Sequence, residues 1–106
     1  MNLNPTIGAE IKKERPGIIV NNNSIGRLPL KIIVPLTDWK DHYEIAPWMV
    51  KIAPTTRNKL FKTSSADCFQ IRSISEQRFM KKIGVIENEI LNKIKVALAI
   101  VFSIED

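Results

Sequence analysis

Four polar side chains stand where this sequence changes character: Glu10, Arg15, Thr37 and Gln70. Arg15 precedes Pro16, which fixes its own φ and pushes the arginine towards an extended conformation. The guanidinium thus sits where a polar stretch gives way to the β-branched run Gly17–Val20. A guanidinium held still offers two parallel donors to the oxygens of a phosphate. Thr37 ends a second apolar run, and Glu10 and Gln70 complete the polar set at strand ends. Spacing alone makes this set a weak signal. An arginine before proline more often caps a loop through carbonyl groups, and a threonine at a strand end is ordinarily a turn residue.

The elements that must position these groups follow from the pattern of apolar residues. Residues 5–14 read as a polar loop, with Gly8 for freedom. Lys12, Lys13 and Arg15 form its basic cluster, partly cancelled by Glu10 and Glu14. Gly17–Val20 reads as a strand, Asn21–Pro29 as a loop, and Leu30–Leu36, ending at Thr37, as the strongest strand. Pro35 suggests an edge or a bulge there. Paired as an antiparallel hairpin, the two strands bring Arg15 near Thr37. A mixed loop, Asp38–Ala46, leads to a third strand, Pro47–Ile52. The basic loop Pro54–Lys62 leads to a fourth strand, Ala66–Arg72, which carries Gln70.

The remainder is a helical turn at Ser75–Arg78, a short strand at Lys82–Ile86 and one clear helix, Glu87–Ile104. In that helix Ile90, Ile94, Ala97 and Val101 share a face, with Leu91 and Leu98 beside it. Glu87 and Glu89 suit the positive end of its dipole, and no Ser or Thr caps it. The fold class is mainly β: a small, strongly bent antiparallel sheet or barrel with one helix packed against it.

Composition bounds the alternatives. The chain has 106 residues, 44% hydrophobic and 25% charged, which predicts one globular domain over 1–106. Its net charge of +5 is compatible with a polyanionic partner, though equally with a plain basic protein. Cys68 is the single cysteine, so no internal disulfide forms, and it reads as a small core residue. With His42 the one histidine, a zinc site of Cys and His within one chain is implausible. No metal or cofactor is expected. The longest apolar run, Val96–Phe102, is too short to span a membrane, and no signal-peptide plan opens the chain. A cytoplasmic protein is the expectation.

Four stretches, taken together, resemble a known family: Pro5-Thr-Ile-Gly-Ala-Glu10, Arg15-Pro-Gly-Ile-Ile-Val20, Ile33-Val-Pro-Leu-Thr37 and Gln70-Ile-Arg-Ser-Ile74. In this order they are similar to the MazF/PemK toxins of type II toxin–antitoxin systems, over roughly residues 4–101. The resemblance implies an SH3-like barrel of the CcdB/PemK type with a C-terminal helix, and a homodimer. It implies a metal-independent endoribonuclease that cuts single-stranded mRNA at short specific sequences, leaving a 2′,3′-cyclic phosphate and a 5′-hydroxyl. An acidic MazE/PemI-like antitoxin is the implied partner, and the toxin–antitoxin complex is implied to bind DNA. Arg15 and Thr37 match the family's catalytic arginine and threonine, Glu10 an acidic position of its Gly-x-Glu loop, and Gln70 a residue that contacts RNA.

Further RNA contacts are expected at Arg27, Lys40, Arg57 and Lys59 along a phosphate track, with Trp39, Tyr43 and Trp48 as stacking surfaces. For the two tryptophans, core or dimer packing is an equal expectation. Two departures from the family matter. Members usually carry a further strand ahead of the Pro-Thr loop, and this chain begins after it, so an open sheet edge is expected. The acid–base pair of the PemK branch is replaced here by Asp67 and Phe69, which favours the arginine–threonine version of the chemistry. The competing readings are a binding protein of the same fold, either a CcdB-like gyrase poison or an inactive relic, and a non-toxic RNA-binding barrel.

Overall fold

The strongest strand of the sequence becomes the hub of the sheet. The computed structural model describes residues 6–10, 15–21 and 28–104, with 6–10 and 80 described by backbone alone. Seven strands form one antiparallel sheet: β1 (Thr6–Glu10), β2 (Pro16–Ile19), β3 (Leu30–Asp38), β4 (Met49–Ile52), β5 (Ser64–Asp67), β6 (Arg72–Ser75) and β7 (Phe79–Val85). Their order is β4-β5-β3-β2-β1-β7, and β6 also pairs with β3. Among the described residues one α-helix, α1 (Asn88–Val101), follows. The mainly β, antiparallel fold with one C-terminal helix is the one that the sequence predicts.

β3 is long enough to serve three partners. One side runs along β2, with Gly17 opposite Pro35 and Ile19 opposite Ile33. The other side pairs with β6 through Leu30–Ile33 and then with β5 through Leu36–Asp38. Pro35 lies in the gap between those two ladders. The bond from Val20 N–H to the Ile32 carbonyl, 2.9 Å, fixes the alternation, so the even residues of β3 point their backbone groups at β2. The missing N–H of Pro35 therefore faces the side where the partner changes and no ladder bond is lost. The expected edge position is in fact a switch point inside the sheet.

Even residues of β3 also face the core. Val34 and Leu36 are buried with Ile18, Val50, Ile52, Ala66, Cys68 and Ile86, against Ile94 and Ala97 of α1. Burying one such aliphatic side chain contributes about 1.5–3 kcal/mol. On the helix, Ile90, Leu91 and Leu98 pack around that cluster, as their spacing predicts. Glu87 provides no side-chain cap, also as predicted.

Three expectations are corrected. Thr6–Glu10 is not a loop but β1, paired antiparallel with both β2 and β7, with register shifts at Ile7/Gly8 and Ala9/Glu10. β1 thus lies between β2 and β7 within the sheet. Ala66–Arg72 is not one strand: β5 ends at Asp67 and a 3-10 turn, Cys68–Gln70, separates it from β6. Within Asp38–Ala46, residues Asp41–Ile45 form a 3-10 turn and Asp38 belongs to β3. Lys12, Lys13, residues 22–26 of the expected loop and Arg27 lie outside the described residues.

Cys68 is fully buried, its Sγ 3.9 Å from the Ala66 carbonyl oxygen. Burial, and then the neighbouring Asp67 carboxylate, push its thiol from 9.0 up to about 12. The thiolate is the reactive form. At pH 8, alkylation of native protein is expected to be on the order of 10³-fold slower than of denatured protein, followed by mass spectrometry. The linked stability is present below pH 9 and falls as pH rises from 9 towards about 12, because the unfolded thiol ionises first.

Candidate RNA-cleavage site

The register of the sheet brings the candidate catalytic residues into one row. Two residues beyond Gly17↔Pro35, Arg15 falls opposite Thr37. This is a position without mutual backbone hydrogen bonds, where opposed Cα atoms lie about 4.5 Å apart and side chains are closest. Glu10 follows Ala9, whose partner is Pro16, and so lies at the end of β1 nearest Arg15. Thr37 pairs in turn with Ser65, and Ser65 with Lys51. Arg15, Thr37, Ser65 and Lys51 thus mark one line across the sheet, with Glu10 near its β1 end. Arg15 and Thr37 are both exposed, whereas Ser65 is fully buried and lies with its Oγ 3.2 Å from Met49 Sδ. The row thereby carries two accessible polar groups, Arg15 and Thr37, beside a buried serine.

Basic and aromatic groups surround this row. Lys51 Nζ sits 5.1 Å from the centre of the Trp39 ring, a cation–π contact. Tyr43 meets Trp39 edge-on at 5.8 Å, and His42 meets Tyr43 at 4.6 Å. Trp39 is half-buried, held between Lys51 and Tyr43, and Lys40 beside it is exposed. Lys62 Nζ lies 3.0 Å from Asp38 Oδ2, next to Thr37. Both partners are largely exposed, so the pair adds little stability, but it offsets the Asp38 carboxylate beside the row.

Gln70 lies five residues beyond Ser65, on the 3-10 turn after β5 rather than in a strand. Its Nε2 donates to Asp67 Oδ2 at 2.9 Å, while Asp67 Oδ1 accepts from the Phe69 backbone N–H at 3.2 Å. One carboxylate therefore holds the turn and aims the amide. Beside it, exposed Phe69 meets Trp48 edge-on, ring centres 5.9 Å apart. Asp67, Phe69, Ser65 and Lys51 are site-lining residues that the sequence did not single out for this role. The alternation of Met49 and Lys51 with Asp67 and Ser65 was the available signal for their shared face. Arg57 and Lys59, expected on a phosphate track, lie in the loop after β4, where Lys59 adopts positive φ.

Among the described residues, no three His, Cys, Asp or Glu side chains gather where they could hold a metal ion. No helix among them is long and apolar enough to cross a membrane. A cavity of about 410 Å³ lies between β4 and α1, lined by Met49, Val50, Lys51, Lys93, Val96 and Ala97, and so borders the far end of the row.

A small antiparallel sheet closed by one C-terminal helix is the fold of solved MazF toxins. The *Mycobacterium tuberculosis* toxin MazF-mt6 superposes with a TM-score of 0.80 at 17% identity, over 96% of this chain and 99% of that one. An endoribonuclease from a mycobacterial species, solved with its cognate antitoxin, gives 0.76 at 19% identity over 100% and 97%. A MazE–MazF structure from Deinococcus radiodurans gives 0.73 at 16% identity over 94% of each chain. No curated protein matched the sequence. Residues 1–102 match the family described as PemK-like, MazF-like toxin of type II toxin–antitoxin system. The chain belongs to that family of toxins, known as endoribonucleases.

Proposed function

We propose that this toxin is a sequence-specific, metal-independent endoribonuclease that cuts single-stranded mRNA. The observation that carries the reading is the opposition of Arg15 and Thr37 on an accessible face, set by the β2–β3 register. The ribose 2′-hydroxyl gives its proton to water as its oxygen attacks the adjacent phosphorus in line, the bond to the 5′-oxygen breaks, and that oxygen takes up a proton from water. The products are a 2′,3′-cyclic phosphate and a 5′-hydroxyl. The nucleophile comes from the substrate, so the protein has to position the phosphate and balance the charge gathering on its oxygens. Arg15 does this with two parallel donors and Thr37 with its hydroxyl, and such fixed donors favour the transition state over the ground state. Glu10, at the neighbouring end of β1, orients the guanidinium.

Lys40, Lys51 and Trp39 extend the basic and aromatic surface beyond Thr37 and suit a single strand. Arg27 is proposed to act on the same strand. The acidic antitoxin would lie across this basic face and exclude RNA. A homodimer is supported by the uncovered even-numbered face of β3, where Leu30 and Ile32 continue the core stripe of Val34 and Leu36 but stay exposed, with Leu28 beyond them. The enzyme reading is favoured over the non-cutting alternatives because Arg15 and Thr37 share one position of the sheet.

Thr37→Ala is expected to slow cleavage of a mixed-sequence RNA, in the presence of a chelator, by roughly 10²-fold, the loss of one preorganised donor. Thr37→Ser should retain most of the rate. Equal rates for wild type and Thr37→Ala would remove the threonine from the chemistry.

A further inference from the structure

The cavity of about 410 Å³ between β4 and α1 has no part in the proposed RNA chemistry. Its walls are apolar, with Met49 and Val50 on one side and Val96 and Ala97 on the other. Ala97 is buried with the core, but the preceding Val96 is 61% exposed and Ile100, one turn on, is 51% exposed. α1 therefore turns apolar side chains to solvent at the mouth of the cavity. Lys51 and Lys93 complete the lining, and among the described residues no acidic side chain belongs to it. Lysine stems lie along apolar surface while their ammonium groups stay in water. The result is an apolar space with a cationic rim. Its size falls within the range of about 300–1,000 Å³ that takes a small molecule.

β4 ends the strand order, so an added peptide strand is the rival occupant. The edge is poorly made for one. It is four residues long and is approached through Pro47, and its Met49 N–H already donates to the Ala46 carbonyl at 3.1 Å. Lys51 is exposed along it. Short length, a proline and a lysine all keep a sheet edge from pairing. An alkyl chain needs no backbone partner, and an anionic head group complements the two lysines.

We propose that this cavity binds an anionic amphiphile, a medium-chain carboxylate, with its chain against Met49, Val96 and Ala97 and its head group between Lys51 and Lys93. Occupancy opposes RNA binding through Lys51. The same Nζ stands 5.1 Å from the centre of the Trp39 ring, and Lys51 is in register with Thr37 through Ser65. A carboxylate that draws this ammonium towards the cavity takes it from the RNA face. By linkage, RNA weakens the amphiphile by the same factor. This coupling rests on the RNA-cleavage reading, whereas the binding site does not.

Binding is measured on the full chain without RNA, by titrating decanoate, octanoate and uncharged decanol as monomers. Fluorescence of the two tryptophans reports it, since Trp39 lies under Lys51 and Trp48 follows Pro47. Octanoate, shorter by two methylenes, should bind roughly tenfold more weakly than decanoate. Lys93→Glu should weaken decanoate several-fold and leave decanol unchanged. Val96→Ser, at an exposed position, should weaken both. Equal affinity of wild type for decanoate and decanol, no saturable binding of decanoate, or decanoate binding untouched by Lys93→Glu and Val96→Ser would each overturn the site. So would a short acidic peptide that binds there when decanoate does not, which would make the cavity a protein-docking groove. Polarisation of a labelled 2′-O-methyl oligonucleotide then reads the coupling: saturating decanoate should weaken its binding several-fold in wild type and have no effect in Lys51→Met. Oligonucleotide affinity unchanged by bound decanoate would overturn the coupling. An oligonucleotide that fails to bind even without decanoate rejects the RNA reading and leaves the amphiphile site standing.

Discussion

Arg15→Ala is expected to lower RNA cleavage by on the order of 10³-fold or more while the protein remains folded. The size follows from what the residue does in the proposed chemistry. A guanidinium supplies both a full charge and a pair of parallel donors, so its loss exceeds that of a single neutral donor such as Thr37. The side chain is exposed and lies outside the core cluster, so folding should not suffer. Arg15→Lys keeps the charge but loses the two-pronged geometry, and should recover only part of the rate. Single-turnover cleavage alongside a circular dichroism melt measures both quantities. Unchanged cleavage in a folded Arg15→Ala protein would place the chemistry elsewhere.

The largest loss of stability is expected at a residue that touches none of this. Asn58 lies in the basic loop after β4 and is completely buried. Its Oδ1 accepts from the backbone N–H groups of Thr55 at 2.9 Å and Leu60 at 3.0 Å. Its Nδ2 donates to the Ala53 carbonyl at 3.0 Å and reaches Glu87 Oε1 at 3.4 Å. Thr55 Oγ1 closes the set by donating to Glu87 Oε2. One amide side chain thus ties the loop to the start of α1. The packing there is equally tight: a Cβ on Gly84 would meet the Arg57 and Asn58 carbonyl oxygens at 2.6 Å. Asn58→Ala leaves several backbone groups without partners, each costing about 1–3 kcal/mol, for a total of roughly 3–5 kcal/mol. That is a large share of the 5–15 kcal/mol of about a typical domain. Urea denaturation measures it, and a loss under about 1 kcal/mol would show that water replaces the amide.

Asn58 also shows where the sequence ceases to be legible. Flanked by Arg57, Lys59 and Lys62, it reads as a solvated loop residue, because nothing local marks an asparagine as the organiser of a turn. The same holds for Asp67, whose role depends on a 3-10 turn that the apolar run Cys68-Phe69 disguises as strand. By contrast, β3 and α1 were readable. Their apolar spacing is long and regular, and the core they form, Val34, Leu36, Ile94 and Ala97, is the one their periodicity implies. The β2–β3 hairpin was readable too, since two short strands around one polar loop have few other ways to pair. β1 was missed because Gly8 and the polar ends of Thr6–Glu10 look like a loop, and its strand identity comes from pairing with β7, far along the chain.

The central claim is that the ribose 2′-oxygen attacks a phosphate held by Arg15 and Thr37. Its most direct test is cleavage, in chelator, of an oligonucleotide that wild-type protein cuts, compared with the same oligonucleotide carrying one deoxyribose on the 5′ side of the cut. The account predicts that the all-ribose strand yields a 2′,3′-cyclic phosphate and a 5′-hydroxyl, and that the substituted strand stays whole. Cutting of the deoxyribose strand, 5′-phosphate ends, or no cutting of any RNA by folded wild type would contradict it.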